Sequence, residues 1–457
     1  RLIGRSFAGT IDHAPELSLD WMLGPHLPRG HPLRVETVTF FMKIGVAQRG
    51  DAWTLASRDD DGALCGATVC QRMESGRKGI LEPLASGWRT FATIAWAIAS
   101  GKMPAFYTSG EHKELRRTAM GPMDKRKASV TKTMATVPEM RKGHVAGALV
   151  KVVGRIRKPD NIIWGYRTAD IAYAMAHAHL AYYRILEARG ELRILSTSKI
   201  FRDHMAEWEA TDDHTGLPVG VIIGMEGADP ISWPEQAGEW WANGLRVVSL
   251  SHYGASNYSH GTGTGTEGGL FPPAKDLLKN MDDLGIILDI THTSDASVRE
   301  ALDIYGGPIL ASHQNCRGVT PGERQHPDDL VKAVIDRGGV IGHSMDTWML
   351  FKGGTDWANI QPRREVFSKE DVTLEDWVDH VDYVSQMAGN TLHSGIGGDT
   401  DGQGGREGAP HEIDTIADYQ KVGEVLSNRG YSDDDVANVM YRNWQRFYER
   451  VLPDEVD

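Results

Sequence analysis

Five ionisable side chains stand at the ends of short apolar runs in this sequence: Glu226, His252, His292, His313 and Asp399. A glutamate brought together with two imidazoles forms a nitrogen-and-oxygen ligand set suited to Zn2+ or a similar divalent ion. An ion held by three protein ligands keeps a position open for water and lets that water ionise near neutral pH. A further carboxylate, Asp399, is then placed to take the water's proton and deliver it to a leaving amine. The chemistry so spelled is metal-assisted hydrolysis of an amide or ester. One histidine at a strand end is most often a satisfied structural residue. Three in succession, each after an apolar run, favour the functional reading.

Those side chains need a scaffold that aims strand ends at one point. From about residue 135 onward, apolar runs alternate with amphipathic stretches, the pattern of parallel β/α units. The runs cover 145–153, 219–227, 245–252, 285–292, 307–313, 338–344 and 393–402. Between them lie helix-like segments such as 168–189 and PAKDLLKNMDDLG (273–285), which opens with Pro and closes with Gly. The expected fold class is therefore α/β, a (β/α)8 TIM barrel whose chemistry sits at the C-terminal ends of its strands. FATIAWAI (91–98) is the candidate for its remaining strand. Residues 1–90 read as a small N-terminal α+β segment, and residues 91–457 as the barrel. Within that segment 34–45 and 51–69 are expected to be strands, the second broken by a hairpin turn at Asp61-Gly62.

Composition narrows the function classes. The 457 residues carry 49 Lys+Arg against 62 Asp+Glu, a formal net charge of −13, which argues against a nucleic-acid binder. Three cysteines, Cys65, Cys70 and Cys316, make neither a disulfide framework nor a Cys-x-x-Cys zinc pair. No apolar run approaches the ~20 residues of a membrane span. The start lacks both a Met and the apolar core of a signal peptide, and the end lacks a GPI-type tail. A cytoplasmic enzyme is the expectation.

The text around the candidate ligands carries a family resemblance. GMEGAD (224–229), LSHYGASNYSHG (250–261), GGLFPPAKDLLKNMDDLGIILDITHTSD (268–295), ILASHQNCR (309–317), RGGVIG (337–342), GIGGDTDG (395–402) and the closing DDDVANVMYRNWQRFYERVL (433–452) together resemble the membrane-dipeptidase family of metallopeptidases, which are amidohydrolase-like barrels. The resemblance covers roughly residues 135–452. It implies a barrel of the metal-dependent hydrolase type that binds two zinc ions and cleaves dipeptides, commonly as a homodimer. By the same resemblance Glu226 bridges the metals, His292 and His313 bind the second, and Asp399 is the catalytic carboxylate. His252 then lies near the scissile carbonyl, and Arg324 pairs with the substrate's terminal carboxylate.

One part of the family pattern is missing. The first strand should end in His-x-Asp, yet upstream of residue 135 only His13, His26, His31 and His112 occur, none followed two residues later by Asp. The later matches, His326-Pro327-Asp328 and His380-Val381-Asp382, fall in an expected loop and an expected helix. With FATIAWAI as first strand, Phe91 and Thr93 occupy the ligand positions. Three explanations stand: a single zinc at Glu226, His292 and His313; a barrel that has lost catalysis and kept binding; or an N-terminal sequence that is not the family's own. Residues 34–86 resemble the capping domain of enolase-superfamily enzymes, with a strand pair, a DDG turn and an ILEPL segment. An enolase-type Mg2+-dependent racemase or dehydratase is thus the alternative. Histidines in place of carboxylates after Glu226 favour Zn2+ over Mg2+.

Four features receive plainer readings. GTGTGTEGG (261–269) fits no nucleotide-binding fingerprint and reads as a loop beside the site. Cys316 reads as structural, and Trp233, Trp240 and Trp241 as packing residues. His343 reads either as a hydrogen-bond partner behind a ligand or as a core histidine.

Overall fold

The computed structural model describes residues 134–157, 165–263, 268–355, 366–400 and 408–455, with the short strands β1 (Val46–Arg49) and β2 (Ala52–Leu55). Two compact units divide the chain: Arg1–Val130 with Ala174–Tyr183, and Thr131–Tyr173 with Arg184–Asp457. In the first, β1 and β2 pair antiparallel, with Arg49 opposite Ala52. The described pair thus differs from the expected one: β1 falls after 34–45, and β2 lies within 51–69. Asp61-Gly62, FATIAWAI and residues 264–267 of the glycine tract lie outside the described residues.

The second unit is built on parallel strands. They are β3 (Gly147–Val153), β4 (Leu192–Ile194), β5 (Val219–Glu226), β6 (Leu245–Ser249), β7 (Ile287–Asp289), β8 (Ile309–Leu310), β9 (Ile341–Ser344) and β10 (Ser394–Gly398). One ladder runs β3-β5-β6-β7-β8, and β9 pairs with β10. A parallel bridge from Ala311 to Ile341 joins the two ladders. β3 takes one edge of β5, so β4 at residues 219–221 and β6 at 223–226 share the other. All seven apolar runs are strands, while β4, only three residues long, escaped the pattern. The fold is α/β with a parallel sheet. A closed eight-stranded barrel is not formed by the described ladders, because closure needs a strand between β10 and β3, and the candidate for it, residues 91–98, is among those not described.

A helix follows each strand: α1 (Ala169–Ala188), α2 (Ser198–Glu209), α3 (Ala237–Ala242), α4 (Ala274–Leu284), α5 (Asp295–Ile304), α6 (Asp328–Asp336), α7 (Leu374–Ala388) and α8 (Asn443–Val451), after β3 to β10 in turn. Local chemistry sets their ends. In α4, Ala274, Leu277, Leu278 and Met281 recur at helical spacing and are all buried. Gly285 stops it at φ 68°, a left-handed conformation that glycine adopts without a Cβ clash. Ser294 caps α5 by accepting from Ser297 N, and Thr373 with Asp376 forms a capping box on α7. None of the described helices is long and apolar enough to cross a membrane.

Register decides which side chains meet inside the sheet. Residues two apart on a strand share a face, and paired residues in parallel strands do likewise. Gly224 pairs with Val247, which pairs with Ile287; Glu226 pairs with Ser249, which pairs with Asp289. On the same face Lys151 pairs with Gly224. An apolar layer of Ile222, Val247, Ile287, Leu310 and Val340 is sealed by Phe447, Tyr448 and Leu452 from the end of the chain. Above it the polar side chains begin.

Candidate metal centre

The strand ends bring the expected ligands together. Glu226 Oε1 lies 3.4 Å from His292 Nε2 and 3.3 Å from His313 Nε2. The two Nε2 atoms are 2.8 Å apart. Ligand atoms of all three residues fall within 4.8 Å of one another, and no other such trio occurs among the described residues. Ligands ~2.1 Å from a tetrahedral zinc are separated by about 3.4 Å. The two glutamate–histidine separations match that spacing, while the two imidazole nitrogens stand closer together and would part to hold such an ion.

Electrostatics make the same point. Burial pushes the His313 imidazole down to about 4, against the pull of Glu226, and pushes His292 and His252 well below their usual range. Burial thus disfavours the charged form of all three rings. Burial alone would raise the Glu226 carboxyl, but His252, His313, Lys151 and Arg324 bring it down to about 2. His292 Nε2 faces the Arg324 Nη2 donor at 3.2 Å, so it presents a lone pair. His313 Nδ1 meets Ser312 Oγ at 2.9 Å, leaving Nε2 as its lone-pair atom. A carboxylate and two imidazole lone pairs thus converge in a buried space. That arrangement calls for a cation.

The other expected site residues fall into place unequally. His252 Nε2 stands 3.8 Å from Glu226 Oε2, its ring 4.7 Å from that of His292. Arg324, a loop residue, is buried rather than solvated, at 1 % exposure. Its guanidinium donates to Gln314 Oε1 (2.6 Å) and His313 O (3.1 Å), and stands 5.9 Å from the Tyr253 ring centre. Arg324 Nε and the Nδ1 atoms of His252 and His292 are buried with no hydrogen-bond partner. Asp399 follows β10 and is exposed. Its charge, with that of Asp346, reaches Tyr253, whose phenol burial pushes up to about 12 despite Arg324.

Backbone strain collects here. Tyr253 (φ 49°), His292 (φ 65°) and Asp399 (φ 66°) are left-handed though not glycine. Such conformations cost of order 1–3 kcal/mol each and persist where the surroundings impose them. Three sit just beyond the C-terminal ends of β6, β7 and β10.

Several residues were missed in the sequence. Lys151, half-buried, pairs with the buried Asp289 at 2.6 Å, and Ser312 joins Asp289 to His313. The signal was present: a lone charge inside each of two apolar runs. His343 is a core histidine, its Nε2 3.0 Å from Ser394 Oγ and its ring edge-on to Trp377. Cys316 is buried and free, and burial pushes its thiol upward. Trp240 is buried, Trp241 lies beneath Arg246 at 4.7 Å, and Trp233 is about half exposed.

Fold and site together define a parallel α/β protein with a candidate metal centre at its strand ends. Residues 112–453 match the sequence model of "Membrane dipeptidase (Peptidase family M19)", and the chain belongs to that family. It is similar to the "Uncharacterized dipeptidase C3A11.10c" of Schizosaccharomyces pombe, 26% identical over 234 residues, covering 50% of this chain and 53% of that one. It is also similar to "Dipeptidase verJ" of Clonostachys rogersoniana, 28% identical over 236 residues, covering 51% and 55%. The chain spans about half the length of the curated relatives it matches. Among solved structures, "dipeptidase AC" aligns with TM-score 0.57 at 21% identity, covering 73% of this chain and 94% of that one. A Rhodobacter sphaeroides metallopeptidase, solved with a phosphinate mimic of L-Ala-D-Ala, aligns with TM-score 0.56 at 20% identity, covering 73% and 95%. At those identities the structural likeness concerns the fold.

Proposed function

We propose that this chain is a zinc-dependent dipeptidase, hydrolysing the amide bond of a dipeptide or a related small amide. The observation that carries this reading is the convergence of Glu226, His292 and His313 as three acceptors, the histidines buried and the glutamate half-buried. When bound, zinc supplies Lewis acidity and a water that ionises near neutral pH. Asp399 takes the proton of the attacking water and returns it to the leaving amine. His252 donates a hydrogen bond to the carbonyl oxygen as negative charge develops there. Arg324 receives the terminal carboxylate, for which its unpartnered Nε remains a free donor.

The proposal commits to one zinc at the three named ligands. The second zinc of the family resemblance would need ligands from outside the described residues. A homodimer and a separate segment over residues 1–90 complete the reading, with light scattering and limited proteolysis as their checks.

Metal analysis of the purified protein beside an L-Ala-D-Ala hydrolysis assay tests it. Bound zinc and turnover are expected, with Asp399→Asn lowering kcat about 10²–10⁴-fold while zinc stays bound. Protein that holds no metal and gives no turnover in added zinc overturns the proposal in favour of a binding-only barrel. Racemisation of an acid sugar with Mg2+ would select the enolase-type alternative.

A further inference from the structure

Beneath the three ligands runs a buried polar chain with no part in the chemistry above. Asp289, fully buried on β7, accepts four hydrogen bonds. Its Oδ1 takes Thr291 N (3.1 Å) and Ser312 N (3.0 Å); its Oδ2 takes Lys151 Nζ (2.6 Å) and Ser312 Oγ (2.6 Å). Ser312 Oγ in turn meets His313 Nδ1 at 2.9 Å.

Proton counting fixes the direction of this chain. An ionised carboxylate has no proton to give, so the Ser312 hydroxyl donates to Asp289. The longer contact from that hydroxyl to Thr291 Oγ1, 3.4 Å, offers only a neutral acceptor. With its one proton spent, Ser312 Oγ can only accept from His313. His313 Nδ1 therefore carries the ring proton.

We propose that Lys151, Asp289 and Ser312 are positioning residues that hold His313 in the tautomer and orientation presenting Nε2 to the metal, and so set the affinity of the site for zinc. The inference rests on the reading of Glu226, His292 and His313 as ligands. A carboxylate behind a ligating imidazole raises its donor strength and fixes its plane. Here the carboxylate acts through one hydroxyl. Lys151 neutralises Asp289, which would otherwise be an uncompensated buried charge. The sheet makes room for it: a Cβ at Gly224 would lie 3.1 Å from Lys151 Cδ and 3.0 Å from Leu149 Cδ1. Glycine at that position lets the lysine stem cross from β3 to Asp289 on β7, under Glu226.

The competing explanation is a salt bridge that merely ties strands together. Ser312→Ala separates the two, because it leaves Lys151 and Asp289 paired and removes the hydroxyl that joins Asp289 to His313. The measurement is zinc affinity of the full chain, by competition with a chromophoric chelator, with circular dichroism as the check on folding. Ser312→Ala is expected to bind zinc about 10–100-fold more weakly, and Ser312→Thr, which restores the hydroxyl, within about threefold of the original. The charge-neutral pair Lys151→Met with Asp289→Asn is a second variant, expected to weaken binding at least ~10-fold, and it carries the test if Ser312→Ala does not fold. Zinc binding that is unchanged in the folded variants overturns the inference alone. An unsubstituted protein that takes no zinc overturns the metalloenzyme reading and the inference with it.

Discussion

The candidate histidine ligands are each held by what surrounds their nitrogens. His313 is oriented from behind by Ser312, and His292 from the side by Arg324. Arg324 is the residue where charge and shape separate most clearly. Its fork binds Gln314 Oε1 and His313 O at once, and a lysine ammonium cannot span both. Arg324→Lys is therefore expected to raise KM for a dipeptide roughly tenfold, the loss of about one charge-assisted hydrogen bond. Steady-state kinetics beside zinc analysis checks this, and the metal content should stay unchanged. Glu226→Gln keeps the shape of the side chain but removes the charge that balances the cation. It is expected to abolish stoichiometric zinc binding, read directly by metal analysis after dialysis. Of the site, the sequence displayed residue types and their order. Arg324 became visible only through family resemblance, since a loop arginine among polar residues carries no local signal.

At the level of elements, strand ends supply position and helix caps supply order. Ser294 begins α5 two residues after His292, so the turn that aims the ligand is also a helix start. The seven apolar runs were legible because buried parallel strands are continuous in hydrophobicity. The three-residue β4 was not, because so short a strand leaves too little pattern to read. Gly285 offers a clean test of one element. No atom lies within 4 Å of the position a Cβ would take there, so Gly285→Ala adds backbone strain and nothing else. The expected loss is about 1–2 kcal/mol in urea unfolding, with zinc affinity unaltered.

For the molecule as a whole, buried histidines link stability to pH, and the proposed zinc would link it to metal supply. In an unfolded chain the His326 and His380 imidazoles titrate near 6.5, whereas burial pushes them to about 4 and about 3 in the fold. The unfolded state then holds more protons below pH 6.5. Stability is full above that pH and falls as pH drops through 6.5 toward 4, by up to about 2 kcal/mol for each histidine at pH 5. Urea midpoints of the metal-free protein at pH 7 and pH 5 measure the fall, and His380→Gln should make it shallower. Chelation is expected to lower the melting temperature, because zinc at about 100 times its Kd adds about 2.7 kcal/mol to the folded state. A melting temperature indifferent to chelator would count against a resident ion. The sequence by itself determined the α/β alternation, the five ionisable strand ends and the family, because these depend on local hydrophobic pattern and residue order. Only the tertiary structure decided that Glu226, His292 and His313 converge on one point, that Arg324 is buried against them, and that Lys151 reaches Asp289 beneath. Those facts depend on strand register and on the space left at Gly224, which bring together residues far apart in the chain.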